Sequence, residues 1–161
     1  MTELWRKSAW EMVGLLKARE IRPSEAIDIA AERIEETDGA VNAMVTRCFE
    51  RAQKHAAHLE AEGHPNNPGE GYLYGLPISV KDLAHVEGVL CTEGSPIYKD
   101  RISTESDLMV KTLEANGAIV IGKSNTPEFG AGANTFNEVF GATRNPWDTC
   151  MNAGGSSGGA A

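Results

Sequence analysis

A run of apolar residues, Ala-Ile-Val-Ile-Gly at positions 118–122, constrains the fold of this chain more than any other segment. It offers no polar side chain to water, which is typical of a strand covered on both faces. Residues 106–116, just before it, are predicted to form a helix closed by Gly117. Residues 76–80 form an earlier apolar segment of strand length. Strand, helix and strand in this order predict an α/β sheet whose functional loops lie at strand ends.

The first 62 residues are predicted to be mainly helical. Apolar side chains at i, i+3, i+4 and i+7 and the flanking breakers predict helices at 8–19, from 23–24 to 38, and at 48–62, with a short strand at 41–46. Ser24 is the predicted N-cap of the second helix. Asp38 and Gly39 are predicted to end it. A glycine- and proline-rich loop at 63–69 then separates this part from the strand-containing part.

Composition and charge exclude several classes of function. A net charge of −8 over 161 residues argues against a protein that binds nucleic-acid phosphates. No apolar stretch approaches the roughly 20 residues of a transmembrane helix, and the N-terminus lacks a signal-peptide pattern. Cys48, Cys91 and Cys150 form no C-x-x-C motif, so reduced thiols in the cytoplasm are expected. His55 and His58 lack a third ligand at metal-binding spacing, so a solvated helix face and no metal are expected.

Two polar segments can carry chemistry. Lys81 follows the apolar segment at 76–80, and Ser156 and Ser157 lie 75 residues (156 − 81) further on, between glycine pairs. A lysine acts as a general base only when it is neutral, which requires burial to lower its pKa. Alone, each signal is ambiguous, because most lysines are solvated and glycine-serine runs are commonly linkers. Asp82 should point to the opposite face of the strand, which argues against an ion pair with Lys81.

The sequence around these residues resembles the amidase signature family. Gly-Leu-Pro-Ile-Ser-Val-Lys-Asp at 75–82 resembles the lysine motif of that family. Gly-Gly-Ser-Ser-Gly-Gly-Ala-Ala at 154–161 resembles the start of its glycine-serine signature, at a similar separation. The intervening segments 122–129 and 140–147 also look like family segments. Four ordered motifs make the resemblance specific, and it covers nearly all of the chain.

The resemblance implies a Ser-cisSer-Lys triad that hydrolyses a small-molecule carboxamide through an acyl-enzyme, without metal or organic cofactor. Lys81 would be the base, and Ser156 would be the bridging serine that follows a cis peptide bond. Ser157 and Gly155 would support this pair. The stretch that lines the acyl pocket in relatives corresponds to Gly130, Ala131 and Gly132.

The family's nucleophilic serine is expected about two dozen residues beyond Ser156, in a segment that also supplies the oxyanion hole. The implied fold is therefore an incomplete amidase signature domain over residues 1–161. Its helices, at 1–62, precede the first strands of a mixed central sheet sandwiched by helices, at 72–161. We expect a truncated chain that is inactive alone and that associates with itself or with a complementing C-terminal chain.

Three functions remain open from the residues themselves. The first is the N-terminal part of an amidase. The second is a component like the A-type component of a tRNA-dependent amidotransferase, since the motifs match both branches of the family. The third is a non-catalytic fragment that acts as a binding or regulatory module. Partner binding and solution behaviour separate them.

Overall fold

Three strands form the central sheet in the computed structural model, which describes residues 4–160. They are β1 (Met44–Arg47), β2 (Pro77–Lys81) and β3 (Ile119–Ser124), in the order β1-β3-β2. β2 runs parallel to β3, whereas β1 is antiparallel to it. The predicted α/β class with a mixed sheet is confirmed.

Four α-helices surround the sheet: α1 (Ala9–Lys17), α2 (Pro23–Val41), α3 (Phe49–Glu62) and α4 (Leu108–Ala115). Short 3-10 turns lie at Leu4–Arg6, Pro96–Tyr98, Glu128–Gly130 and Gly158–Ala160. Each helix lies within or close to its predicted segment. Within the described residues, no helix has the length and apolar character needed to cross a membrane.

Both faces of β3 are covered, as its apolar sequence predicts. Ile27 of α2 and Ala52 and Ala56 of α3 form one core cluster with Ile119 and Ile121. On the other face the cluster consists of Val80, Val86, Val89, Val110 and Val120. Alternate residues of one strand therefore enter two separate cores, and the strand is fully buried along its length. This burial holds the carboxyl ends of β2 and β3 side by side.

The predicted start of α2 at 23–24 is confirmed, but the predicted N-cap at Ser24 is wrong. Arg22, with extended backbone, is the N-cap, and Pro23 is the first helical residue. Proline suits that position because its missing N–H is not needed in the first turn of a helix. The carboxylate of Glu25, at the third helical position, accepts a hydrogen bond from the Arg22 backbone N–H at 2.8 Å, as the N3 side chain of a capping box does.

The predicted end of α2 at Asp38 and Gly39 is also wrong. The helix continues to Val41, and Asn42 ends it in the left-handed conformation with φ 58°. The Asp38 carboxylate accepts hydrogen bonds from the backbone N–H groups of Ala43 and Met44 at 2.6 and 3.1 Å. Its side chain thus stabilises the turn that follows the helix, whereas the prediction had assigned it the stop itself.

The region after residue 130 contains two short antiparallel ladders. β4 (Phe136–Asn137) pairs with β5 (Gly141–Ala142), and β6 (Arg144–Asn145) pairs with β7 (Asp148–Asn152). Three of these four strands have only two residues and are too short to leave an alternating pattern in the sequence. These ladders support the loop that carries the serine pair.

Candidate active site

Lys81 reaches the serine pair from the carboxyl end of β2. Its Nζ lies 2.7 Å from Ser156 Oγ and 3.2 Å from Ser157 Oγ. The parallel register pairs Lys81 with Ser124, the last residue of β3, so the lysine backbone is fixed by the sheet. The structure therefore brings together the lysine and both serines that the sequence singled out.

Burial lowers the pKa of Lys81, because the ammonium loses hydration when it leaves water. No charged residue occurs in the glycine-serine loop at 154–159 that the amine faces. The two hydroxyls beside Nζ can hydrogen-bond to either form of the amine. Lys81 is thus closer to the neutral state that a general base requires than a solvated lysine is.

The loop turns sharply at Gly155, immediately before the bridging serine. The Gly155–Ser156 peptide bond is cis, which confirms what the family resemblance implied. The Gly155 N–H donates to the Ala133 carbonyl oxygen at 2.6 Å. A Cβ on Gly155 would collide with the Gly132 carbonyl oxygen and would lie 2.9 Å from the Ala133 carbonyl carbon. Only glycine fits between Ser156 and this neighbouring backbone.

The segment 130–132 lies against the serine loop. Gly130 approaches Leu83, two residues after Lys81, so closely that a Cβ would lie 2.6 Å from Leu83 Cδ1. Gly132, at the other end, lies so close to the loop that a Cβ added at Gly155 would collide with the Gly132 carbonyl oxygen. Ala131 between them is exposed. The predicted substrate-contact segment is therefore adjacent to the Lys-Ser pair, and its role in binding stays a prediction.

Thr135 anchors the glycine-serine loop at 154–159, a role that sequence reasoning missed. Its fully buried hydroxyl donates to the Gly154 carbonyl oxygen at 2.9 Å and accepts from the Gly158 N–H at 3.0 Å. The two contacts bracket the serine pair. A threonine in a glycine-dense stretch gives no local signal of such a contact, because its partners lie about 20 residues away.

Asn125, directly after β3, links the sheet to the short ladders. Its buried amide donates to Thr143 Oγ1 at 3.0 Å and accepts from Asn137 Nδ2 at 2.7 Å. Thr143 Oγ1 in turn donates to the Asn42 carbonyl oxygen at 2.7 Å. These buried hydrogen bonds, rather than apolar packing, hold Asn137 and Thr143 against the end of β3.

The two histidines on α3 turn toward different carboxylates. His58 Nε2 lies 3.1 Å from Glu62, and His55 Nδ1 lies 3.8 Å from Glu114 on α4. Over residues 4–160, no three His, Cys, Asp or Glu side chains gather into a group that could hold a metal ion. Cys48, Cys91 and Cys150 are free thiols.

Comparison with known proteins explains this arrangement. The family model described as Amidase matches residues 25–161, which include Lys81, the segment 130–132 and the serine pair. The chain belongs to the amidase family. The resemblance inferred from four short motifs is thereby confirmed over most of the sequence.

Two curated relatives of this chain are A-type components of glutamyl-tRNA(Gln) amidotransferase. The chain is 39% identical over 158 residues to the A-type component of glutamyl-tRNA(Gln) amidotransferase from Moorella thermoacetica, covering 98% of this chain and 32% of that protein. It is 35% identical to the same component from Persephonella marina, covering 99% of this chain and 33% of the relative. The chain thus spans about a third of the length of the curated relatives it matches.

A crystal structure of a bacterial aryl acylamidase of the amidase signature family shares the fold. The TM-score is 0.87 at 35% sequence identity, with 96% of this chain and 32% of that chain covered. The predicted amidase signature fold is confirmed for the portion present in this chain.

Proposed function

We propose that this amidase-family chain supplies the base and the bridging serine of a site that hydrolyses carboxamides. The observation that carries the proposal is the 2.7 Å contact between Lys81 Nζ and Ser156 Oγ. A lysine and a serine at hydrogen-bond distance can exchange a proton directly. Burial of Lys81 supports the direction of transfer, since it favours the neutral amine.

The proposed proton path runs from an attacking hydroxyl to Ser156 and from Ser156 to Lys81. Neutral Lys81 accepts the Ser156 Oγ proton while Ser156 accepts the proton of the nucleophile. The same two groups return a proton to the leaving nitrogen, so that an amide gives an acyl-enzyme and ammonia or an amine. Ser157, 3.2 Å from Nζ, keeps the amine aimed at Ser156. This relay uses no metal or organic cofactor.

We further propose that the 161 residues do not hydrolyse amides by themselves. The family resemblance assigns the nucleophile to a serine about two dozen residues beyond Ser156, and the oxyanion hole to the same segment. Removing one oxyanion donor alone costs about 10²–10³ in rate, and an acyl-enzyme cannot form without its nucleophile. Residues 130–132 would then line the acyl side of the completed site.

A chimera tests the proposal. The 161 residues are joined to the remaining two thirds of the Moorella thermoacetica relative, and release of ammonia or amine from a panel of carboxamides is measured. We expect turnover that falls at least about 10³-fold in Lys81→Ala and in Ser156→Ala, because each removes one step of the relay. Ser157→Ala should lose less.

Activity that persists in a folded Lys81→Ala chimera would refute the proposed base. Turnover by the 161-residue chain without any addition, if abolished in Lys81→Ala, would refute the proposed inactivity.

A second candidate is a component like the A-type component of a tRNA-dependent amidotransferase. The observation that favours it is the 35–39% identity to curated proteins of that name. Co-purification of the chain with the B-type component of an amidotransferase is the expected result for this candidate. A soluble monomer that binds no such component and stays folded would instead indicate a binding or regulatory module. The cytoplasm remains the proposed location, which the free thiols support.

A further inference from the structure

A buried ion pair lies behind Lys81. Lys123 Nζ is 3.1 Å from Asp82 Oδ1, and both side chains are fully buried. Asp82 directly follows Lys81, and Lys123 is the register partner of Val80 on the neighbouring strand. Buried charges of this kind are costly unless they are well paired, so their position next to the site needs a reason.

We propose that Asp82, Lys123 and Thr92 form a positioning unit that fixes the end of β2 and holds Lys81 against Ser156 in electrically neutral surroundings. The inference rests on the proposed role of Lys81 as a base. Asp82 and Lys123 touch no substrate in this proposal. They act through Lys81.

The hydrogen bonds around Asp82 fix the turn after the strand. The Asp82 N–H donates to the Ser124 carbonyl oxygen at 2.9 Å, which extends the ladder by one residue beyond Lys81. The Asp82 carboxylate accepts from Thr92 Oγ1 at 2.6 Å and from the Thr92 N–H at 3.2 Å. Because adjacent strand residues point to opposite faces, this anchor leaves the Lys81 side chain free to face the serine loop. The end of β2 cannot shift without breaking it.

The pairing of Asp82 with Lys123 also controls the electrostatic potential at Lys81. An unpaired Asp82 carboxylate would favour the charged form of Lys81, whereas an unpaired Lys123 ammonium would favour its neutral form. Together the two charges largely cancel. Two other acidic side chains on the adjoining loops also have partners: Glu128 accepts from Ser95 Oγ at 2.6 Å, and Glu93 pairs with Arg101 at 2.7 Å.

Chemical labelling of Lys81 tests the unit without requiring turnover. The 161-residue chain is treated with trace acetic anhydride at a series of pH values, and acetylation of Lys81 is quantified by peptide mass spectrometry. Lys123→Met should raise the pKa of Lys81 and slow its labelling at pH 7 about tenfold. Asp82→Asn should speed it. The double variant Asp82→Asn/Lys123→Met should return to the wild-type profile.

Two further variants keep the test decisive. Arg51→Met removes the Arg51–Glu114 ion pair at 2.8 Å, which joins α3 to α4, and should leave the Lys81 profile unchanged. Thr92→Val retains both buried charges but loses the 2.6 Å bond to Asp82, and should label Lys81 about twofold or more faster above its pKa, because the amine is less firmly held by Ser156.

The opposite shifts of the single variants, reversed in the double variant, are the supporting result. Equal Lys81 profiles in all folded variants, or shifts in the same direction, would overturn the proposal. If the single charge variants do not fold by circular dichroism, Thr92→Val decides: an unchanged labelling profile overturns the unit. An inactive chimera with the expected labelling shifts would refute the proposed function and leave this inference standing.

Discussion

Replacing Gly155 by alanine should displace the bridging serine, whereas the same change at Gly154 should not. A Cβ at position 155 would meet the Gly132 carbonyl oxygen and would lie 2.9 Å from both Ala133 C and Asn134 N, all of them backbone atoms that cannot rotate away. A Cβ at position 154 has no atom within 4 Å. The pair therefore differs in one feature, the space around a single methyl group.

The magnitude follows from the overlap. Forcing an extra methyl group into packed atoms costs about 1–3 kcal/mol, and replacing glycine returns about 0.4–1 kcal/mol through the unfolded chain. Gly155→Ala should thus lower the free energy of unfolding by about 1–2 kcal/mol. For a chain of this size that lowers the Tm by about 2–8 °C. Gly154→Ala should leave the Tm unchanged or slightly raised.

Two measurements check this prediction: thermal unfolding followed by circular dichroism, and the labelling rate of Lys81. In Gly155→Ala the 2.7 Å contact between Lys81 and Ser156 should be lost, so the amine should be labelled faster above its pKa. Gly154→Ala is the control for both readouts. Equal Tm values and equal labelling rates in the two variants would show that the steric argument is wrong.

Three further predictions concern the pKa of Lys81, the sheet and the helix ends. Because burial lowers the pKa of Lys81, the folded chain binds fewer protons than the unfolded chain at pH values between the pKa of Lys81 in the folded and in the unfolded chain. The free energy of unfolding should therefore rise with pH through that window, and urea titrations should find a smaller rise in Lys81→Met. Gly122→Ala should destabilise the chain by about 1–3 kcal/mol, since its Cβ would lie 2.6 Å from the Thr46 carbonyl oxygen of β1. Gly39→Ala on α2, where a Cβ meets no atom within 4 Å, should stabilise the chain by about 0.4–1 kcal/mol in the same assay. Ser8→Ala should cost about 0.5–2 kcal/mol because Ser8 caps α1, but Ser24→Ala should cost almost nothing, and equal losses in thermal unfolding would contradict the observed caps.

Local sequence patterns predicted much of the fold. The apolar run at 118–122 predicted a strand buried on both faces, because a side chain on either face of such a strand meets only apolar neighbours. Helical spacing located α1 and α3 for a similar reason, since burial of one helix face imposes its period on the sequence. The N-cap of α2 and its C-terminal end were not predictable in this way. They depend on the carboxylates of Glu25 and Asp38, which accept hydrogen bonds from the backbone N–H groups of Arg22 and Ala43. Any nearby side chain with an oxygen acceptor could have made these bonds, so the sequence alone does not show which one does.

The candidate site divides along the same line. Lys81 and the serine pair stand out in the sequence because their motifs are contiguous and their separation resembles that of a known family. The structure alone decided what holds them: Thr135 under the serine loop, and Asp82 paired with Lys123 rather than with Lys81. Lys123 lies 41 residues from Asp82, so no local pattern links them. A hydrogen bond depends on distance and angle in space, and only the folded sheet brings these atoms together.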